Sequence, residues 1–554
     1  MNASISPLTD YFIQPTRIVW LSSHGVKNAE ALLQANLGQA VIPNESGSCV
    51  LDAAIPEGGG ILLDFGRELH GFVEIFTPMT KNHAPCPVRV RFGESVSEAM
   101  AELGGEKNSQ NDHAIRDEVV LLPWLGKRTI GPSGFRFLRI DAVDPERPVE
   151  ITQVQAVLRL RNIPKPGSFS CNDKRLNQIW ETGAYTVHLN MQEYLWDGIK
   201  RDRLVWVGDM HPEVSTIHSV FGFNEVVPQS LDLTCRIYPP TSWVSGISSY
   251  SLWWIIIQHD FWMHHARRDY LEAQRAYLVE LLVRLTSFVD VEGRESLHGF
   301  RFLDWPTNGN DAAVNEGLRA LLIMGMEAGG KLCDSLGESQ TAQLCQESTR
   351  RLKQLPPGPG ASKQSMALQM LAGLIPPQAG VPVLKKDGPK GLSTFFGYYV
   401  LEALALAGET ETAQSFISQY WGGMLDFGAT TFWEDFDLAW TENAGRIDEL
   451  VPAGMKDLHG DFGAHCYIGF RHSLCHGWAS GPTAWLSRHV LGIHFLEPGG
   501  TLIEIKPQLG KLEWAEGSYP TPYGAIHVRH ERQADGSIQS VVRAPDAIQI
   551  AKTS

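Results

Sequence analysis

Thirteen residues, Asp197 to Asp209 (DGIKRDRLVWVGD), hold three carboxylates and three cations, with Trp206 and Gly208 just before the last acid. Asp202 and Asp209 follow Asp197 inside apolar flanks, EYLW before and LVWV within, so the acids read as partly buried. Burial keeps a carboxyl protonated to higher pH, whereas a neighbouring Arg favours its ionised form. Such a run can therefore hold one acid as a proton donor and others as charged acceptors. A second acidic spot, ATTFWEDFD, sets Glu434 and Asp435 beside Trp433, and RFLDWPTNGND adds Asp304 and Trp305. Cleavage of a glycosidic bond needs a carboxyl on each side of that bond, and two clusters far apart in the chain suit the need. Indole faces beside carboxylates also suit a sugar ring, whose C–H face stacks while its hydroxyls seek acceptors. The plain alternative is a solvated loop with local ion pairs, with Trp206, Trp305, Trp433 and Trp478 serving the core.

Other candidates are weaker. Glu213, in GDMHPE, is a spare acid, or simply a charge in the first turn of the next helix, the reading preferred here. His259, His264 and His265 miss the HExxH spacing and read as helix residues rather than metal ligands. His476, in CHGW, reads on its own as a core histidine bonded to backbone. Lys200 is a base that could meet a uronate near the mouth of a site. The chain lacks a P-loop, a GxGxxG after a strand and a GxSxG elbow. No cofactor and no metal are expected. Eight scattered cysteines without a CxxC read as reduced, mostly buried thiols.

Elements must carry these residues into one place. At 554 residues, 43% hydrophobic and 20% charged, the chain is long enough for several domains. A net charge of -15 argues against nucleic acid or an anionic membrane as partner. The start lacks a signal-peptide pattern and no stretch is apolar enough to span a bilayer, so the expectation is a cytoplasmic chain, or a secreted one if processed. From Arg17 to about Leu160, short alternating runs such as GGGILLDFG, HGFVEIFTP and ITQVQAVLRL separated by turns suggest a β-sandwich. NIPKPGSFSCND reads as a linker ending in a helix cap. Beyond it, stripes such as Leu176, Ile179, Trp180, Ala184, Val187 and Met191 recur at helical spacing, predicting about eleven helices up to Val490 and suggesting a toroid of helical hairpins. Gly408 and Thr410 predict a hairpin turn, ending one helix and capping the next. From FLEPGGTLIEIKP onward strands return. The division expected is 1–165 β-sandwich, 166–492 helical and 493–554 a small β region.

The run DGIKRDRLVWVGD resembles the signature of glycoside hydrolase family 78, the α-L-rhamnosidases, written D-C-P-x-R-E-R-x-G-W-x-G-D. Asp197, Arg201, Arg203, Trp206, Gly208 and Asp209 match in register. TTFWEDFD is similar to the family's T-T-x-W-E segment, SLCHGWASGPTAWLSRHVLGI to its histidine segment, and both β regions to its flanking domains. The resemblance implies an (α/α)6 barrel catalytic domain with an N-terminal β-sandwich and a C-terminal β region, and an inverting hydrolysis of terminal α-L-rhamnose. It places Asp202 as general acid and Glu434 as general base. It places Asp197, Arg201, Trp206, Asp209 and His476 on rhamnose-binding or supporting positions, with Asp304, Trp305 and Trp433 as further sugar contacts. Two departures stand out: the acid is Asp rather than Glu, and Gly198-Ile199 replaces Cys-Pro. The partner expected is a rhamnosylated glycoside or oligosaccharide, a uronate-linked one included, and the assembly a monomer or homodimer. A lyase or phosphorylase on a similar toroid, and an inactive rhamnose-binding protein, are the competing readings.

Overall fold

The computed structural model describes residues 7–35, 39–43, 47–80 and 83–551. Its N-terminal part is built on a seven-stranded sheet of β1 (Leu8–Ile13), β2 (Arg17–Leu21), β3 (Gly60–Thr77), β4 (Cys86–Gly93), β5 (Asp117–Leu122), β6 (Gly126–Ala142) and β7 (Gln153–Arg161). The order is β1-β7-β3-β6-β4-β5, with β2 also on β3. The runs GGGILLDFG and HGFVEIFTP, which read as two strands, are one: β3 passes through register shifts between Asp64 and Leu69 and between Gly71 and Val73, so it bends without ending. A three-stranded sheet of Val26–Lys27, Cys49–Leu51 and Val149–Ile151 accompanies it.

Twelve α-helices lie between Lys174 and Trp485 among the described residues. The first, α1 (Lys174–Asn190), begins where Asp173 accepts the backbone N–H groups of Arg175 and Leu176, and it buries the predicted stripe. Gly408 takes φ 75° and ends a helix as predicted, although the next N-cap falls on Glu409, one residue before Thr410. No helix among the described residues is long and apolar enough to cross a membrane. All eight cysteines are free thiols.

The linker reading of NIPKPGSFSCND needs correction. Ser168–Cys171 is a strand, the edge of a four-stranded sheet with Trp514–Tyr519, Ile526–Arg532 and Ile538–Arg543. Ala515, Tyr519, Ile526 and Val528 of that sheet share one apolar core with the helices. The N-terminal sheet has a core of its own, into which Leu189, Ile199 and Cys475 of the helical part insert. Ile199, at the first departure from the signature, is thus a fully buried link between the two parts.

Candidate functional site

Sixteen residues line a cavity of about 300 Å³ that contains Asp197, Arg201, Asp202, Trp206, Asp209, Trp305, Glu434, His476 and Trp478. The segment 191–206 reaches it as a folded loop. Asp197 donates its N–H to Leu204 O at 3.1 Å and accepts Leu204 N–H on Oδ1 at 2.9 Å, closing the charged run into a turn. Inside that turn Asp202 and Arg203 both take φ 55°. The chain then enters α2 (Val207–Val220), whose first turn holds Asp209, where the exposed N–H groups favour a negative charge. Gly208 is required there because a Cβ would run into the Tyr250 ring, whose hydroxyl donates to Asp209 Oδ1 at 2.9 Å.

Glu434 comes from the other side. The extended stretch 432–434 lies along 473–476: His476 N–H donates to Phe432 O, Glu434 N–H to Ser473 O, and Ser473 N–H to Glu434 Oε2, all at 2.9 Å. The remaining oxygen, Oε1, accepts from Arg201 NH2 at 2.5 Å. Arg201 NH1 lies 3.8 Å from Asp202 Oδ1, so one guanidinium stands between the two predicted catalytic carboxyls. His476 Nε2 lies 3.5 Å from Glu434, 3.6 Å from Asp197 and 3.8 Å from Asp209. Trp206 donates to Asp202 Oδ2 at 3.2 Å. Tyr250, Phe300, Phe302 and Tyr467 supply further ring faces, Ser245, Ile247 and Cys466 complete the wall, and Trp305 donates its indole N–H to the Tyr467 hydroxyl.

Burial decides the electrostatics. Asp197 and Asp209 are 3% exposed, and desolvation first, then neighbouring carboxylates, pushes both well above the usual Asp value. Burial also raises Glu434, with Arg201 pulling part of the way back. Desolvation opposes the charge of Arg201, yet Glu434 and Asp202 outweigh it and hold the guanidinium firmly protonated. Burial, then Arg201, pushes His476 well below the usual His value, so it is a neutral ring.

Several predicted residues lie elsewhere. Asp304 does not line the cavity: it caps the short helix Trp305–Thr307, and its carboxylate accepts from Thr307 and Ser393. Trp433 is buried against Phe436, while its neighbour Glu434 takes the cavity side. Asp435 is also outside; burial raises it to about 6 and its N–H donates to His472. Glu213 is not a first-turn charge but a fully buried carboxyl beneath Gly477, pushed well above the usual Glu value by burial. Lys200 is not at the mouth. It is 5% exposed, with Nζ 2.9 Å from Glu98, 3.3 Å from Glu94 and donating to His472 O at 2.7 Å. Glu94, Glu98 and His459 approach one another as metal ligands would, but the cation among them is the Lys200 ammonium, and the His459 ring meets Ser95 and His472 O. Glu94 in turn accepts Leu474 N–H, tying the N-terminal part to the 473–476 stretch that lies against Glu434. Sequence reasoning missed Tyr250, Tyr467, Phe300, Phe302 and this buried network.

Residues 164–354 match the family model of the bacterial α-L-rhamnosidase six-hairpin glycosidase domain, and residues 492–549 that of the bacterial α-L-rhamnosidase C-terminal domain. Two segments of the chain are thus similar to domains of the bacterial α-L-rhamnosidases. An α-L-rhamnosidase of Alteromonas sp. (strain LOR) is 23% identical over 538 residues, covering 87% of this chain and 54% of its own length. Among solved structures, a family 78 rhamnosidase of Bacillus sp. GL1 superposes with a TM-score of 0.74 at 21% identity, over 94% of this chain and 55% of that one. A rhamnosidase from Klebsiella oxytoca with rhamnose bound gives 0.67 at 20% identity, over 87% and 96%. These likenesses establish a multidomain α and β fold shared with rhamnosidases. The chain spans about half the length of the Alteromonas and Bacillus rhamnosidases.

Proposed function

We propose that this chain is an exo-acting α-L-rhamnosidase that hydrolyses terminal α-L-rhamnose with inversion. The observation that carries the reading is the convergence of Asp197, Arg201, Asp202, Trp206 and Asp209 with Glu434 and His476 in one cavity. At about 300 Å³ that cavity is at the small end of ligand pockets, which suits one sugar ring rather than a chain. In this reading Asp202 protonates the glycosidic oxygen as the bond to C1 breaks, and Glu434 takes a proton from the water that attacks C1 from the opposite face. Arg201 keeps Glu434 available as a base, and its position between the carboxyls supports the wider spacing of an inverting pair, about 6.5 to 9.5 Å. Asp197, Asp209 and His476 bind hydroxyls, and Trp206, Trp305 and Phe302 offer ring faces. The finer architecture belongs to the same proposal: an (α/α)6 barrel over 166–492, an N-terminal β-sandwich over 1–165 and a C-terminal β domain over 493–554.

The test is hydrolysis of an aryl α-L-rhamnoside by the wild type, Asp202→Asn and Glu434→Gln, with NMR identifying the first anomer released. β-L-rhamnose from the wild type and loss of about 10²- to 10⁴-fold in each variant support the assignment. Retained configuration overturns the mechanism, dependence on added phosphate or an unsaturated product overturns hydrolysis, and rhamnose binding without turnover favours a binding protein.

A further inference from the structure

We propose that His113, on the loop between β4 and β5 of the N-terminal β region, is a positioning residue for the proton donor Asp202. The inference rests on the reading of Asp202 as general acid. A shortened acid needs its backbone held closer to the substrate, and the structure has an unusual backbone at that place. Asp202 and Arg203 are consecutive non-glycine residues at φ 55°, each costing of order 1 to 2 kcal/mol against the right-handed alternative. Such a turn persists only when its surroundings hold it.

His113 does the holding. Asp202 donates its N–H to His113 Nδ1 at 3.0 Å, which makes Nδ1 an acceptor and leaves the ring proton on Nε2. Nε2 faces Asp112 Oδ2 at 3.3 Å. The Arg203 guanidinium donates to His113 O, so both left-handed residues are tied to one residue of the β region. The loop is pinned in turn by Arg471, which pairs with Asp112 and donates to Gln110 Oε1 at 2.8 Å. Nδ1 also lies 3.3 Å from Asp202 Oδ1, while Trp206 holds Oδ2. Asp202 is thus fixed at its carboxyl by an indole from the helical part and at its backbone N–H by an imidazole from the β region. The His113 ring and the Asp202 carboxyl are both partly exposed. The helical part alone does not complete the proton-donating half of this site.

Leaving-group dependence separates positioning from mere structural support. Departure of 2,4-dinitrophenolate needs little proton donation, whereas departure of methoxide needs it fully. The full-length wild type, His113→Ala, His113→Asn and Asp202→Asn are assayed on 2,4-dinitrophenyl and methyl α-L-rhamnoside. The expected result is that His113→Ala lowers kcat about 10- to 100-fold more on the methyl than on the dinitrophenyl glycoside, since a misplacement near 1 Å costs about that much. KM changes little. His113→Asn, whose amide oxygen can accept where Nδ1 does, restores most of the methyl activity. Equal losses on both substrates, or an Asn variant no better than Ala, overturns the proposal. If Asp202→Asn itself loses both activities equally, Asp202 is not the donor and the parent reading falls. If Asp202→Asn discriminates between the substrates and His113→Ala does not, only the role of His113 falls.

Discussion

Replacing Lys200 with Met strikes the buried network that joins the β region to residues 472–474, which lie against Glu434. In the wild type three carboxyls, Glu68, Glu94 and Glu98, face two cations, Lys200 and Arg116, and all five are nearly inaccessible to water. Glu68 is pushed well above the usual Glu value by burial and by Glu94, and one proton held within the cluster balances its charges. Methionine removes the ammonium 2.9 Å from Glu98 and 3.3 Å from Glu94 but keeps most of the volume. Glu98 retains Arg116 at 3.4 Å and Glu94 retains only its Ser473 and Leu474 donors, leaving one uncompensated charge. Breaking a buried pair in this way costs about 3 to 5 kcal/mol. The sign with pH follows. Burial already raises Glu94, and losing the cation raises it further, so the folded variant binds a proton more tightly than the unfolded chain. The deficit is therefore smallest near and below the unfolded carboxylate value of about 4.3, and grows as pH rises toward the folded value, by up to about 1.4 kcal/mol per unit. Urea unfolding followed by tryptophan fluorescence at pH 5 and pH 8 reads it. Lys200→Met/Glu94→Gln removes the excess charge and regains most of the loss at pH 8. Equal deficits at the two pH values, or a double variant no more stable than Lys200→Met, refutes the charge count.

Three further outcomes follow from the site. The acid limb of kcat/KM lies above the ordinary Glu value of about 4.3, because the base must be ionised and burial raises Glu434; Arg201→Met moves that limb to higher pH, and a pH profile of both enzymes checks it. Glu213→Gln leaves melting temperature and activity near wild type, since the buried carboxyl is already neutral, whereas Glu213→Ala costs about 2 to 5 kcal/mol through the cavity left beneath Gly477; thermal melts of both distinguish a neutral carboxyl from a charged one. Gly208→Ala forces the Tyr250 ring away from Asp209 and raises KM for an aryl rhamnoside at least tenfold with a smaller change in kcat, measured by steady-state kinetics.

What the chain discloses to a reader follows from how locally each feature is determined. The helix α1 stripe was legible because six apolar residues repeat within one helix and Asp173 marks its start. The run Asp197–Asp209 was legible because one turn and one helix start hold all of its acids, so spacing in sequence is spacing in space. Glu434 stood out by its acidic and aromatic run, but its role as the partner of the first run, like the place of His476 in the site, was reachable through resemblance alone, since Glu434 meets Arg201 across more than 230 residues. Ser168–Cys171 hid as a linker because its strand partner, Trp514–Tyr519, lies some 350 residues away and the run leading into it, with Pro164 and Pro166, is Pro-rich. A local signal was available for Asp304: an acid three residues before Thr307, with Pro306 between, is a helix-capping pattern, and such an acid spends its oxygens on backbone and hydroxyl donors. His113, Glu94 and Tyr250 had no such mark, each being an ordinary residue of its own element. All three hold a predicted carboxyl, its backbone or the stretch packed beside it. A motif therefore exposes the groups that meet the ligand, while the groups that aim them come from whichever distant surface the fold presses against that motif.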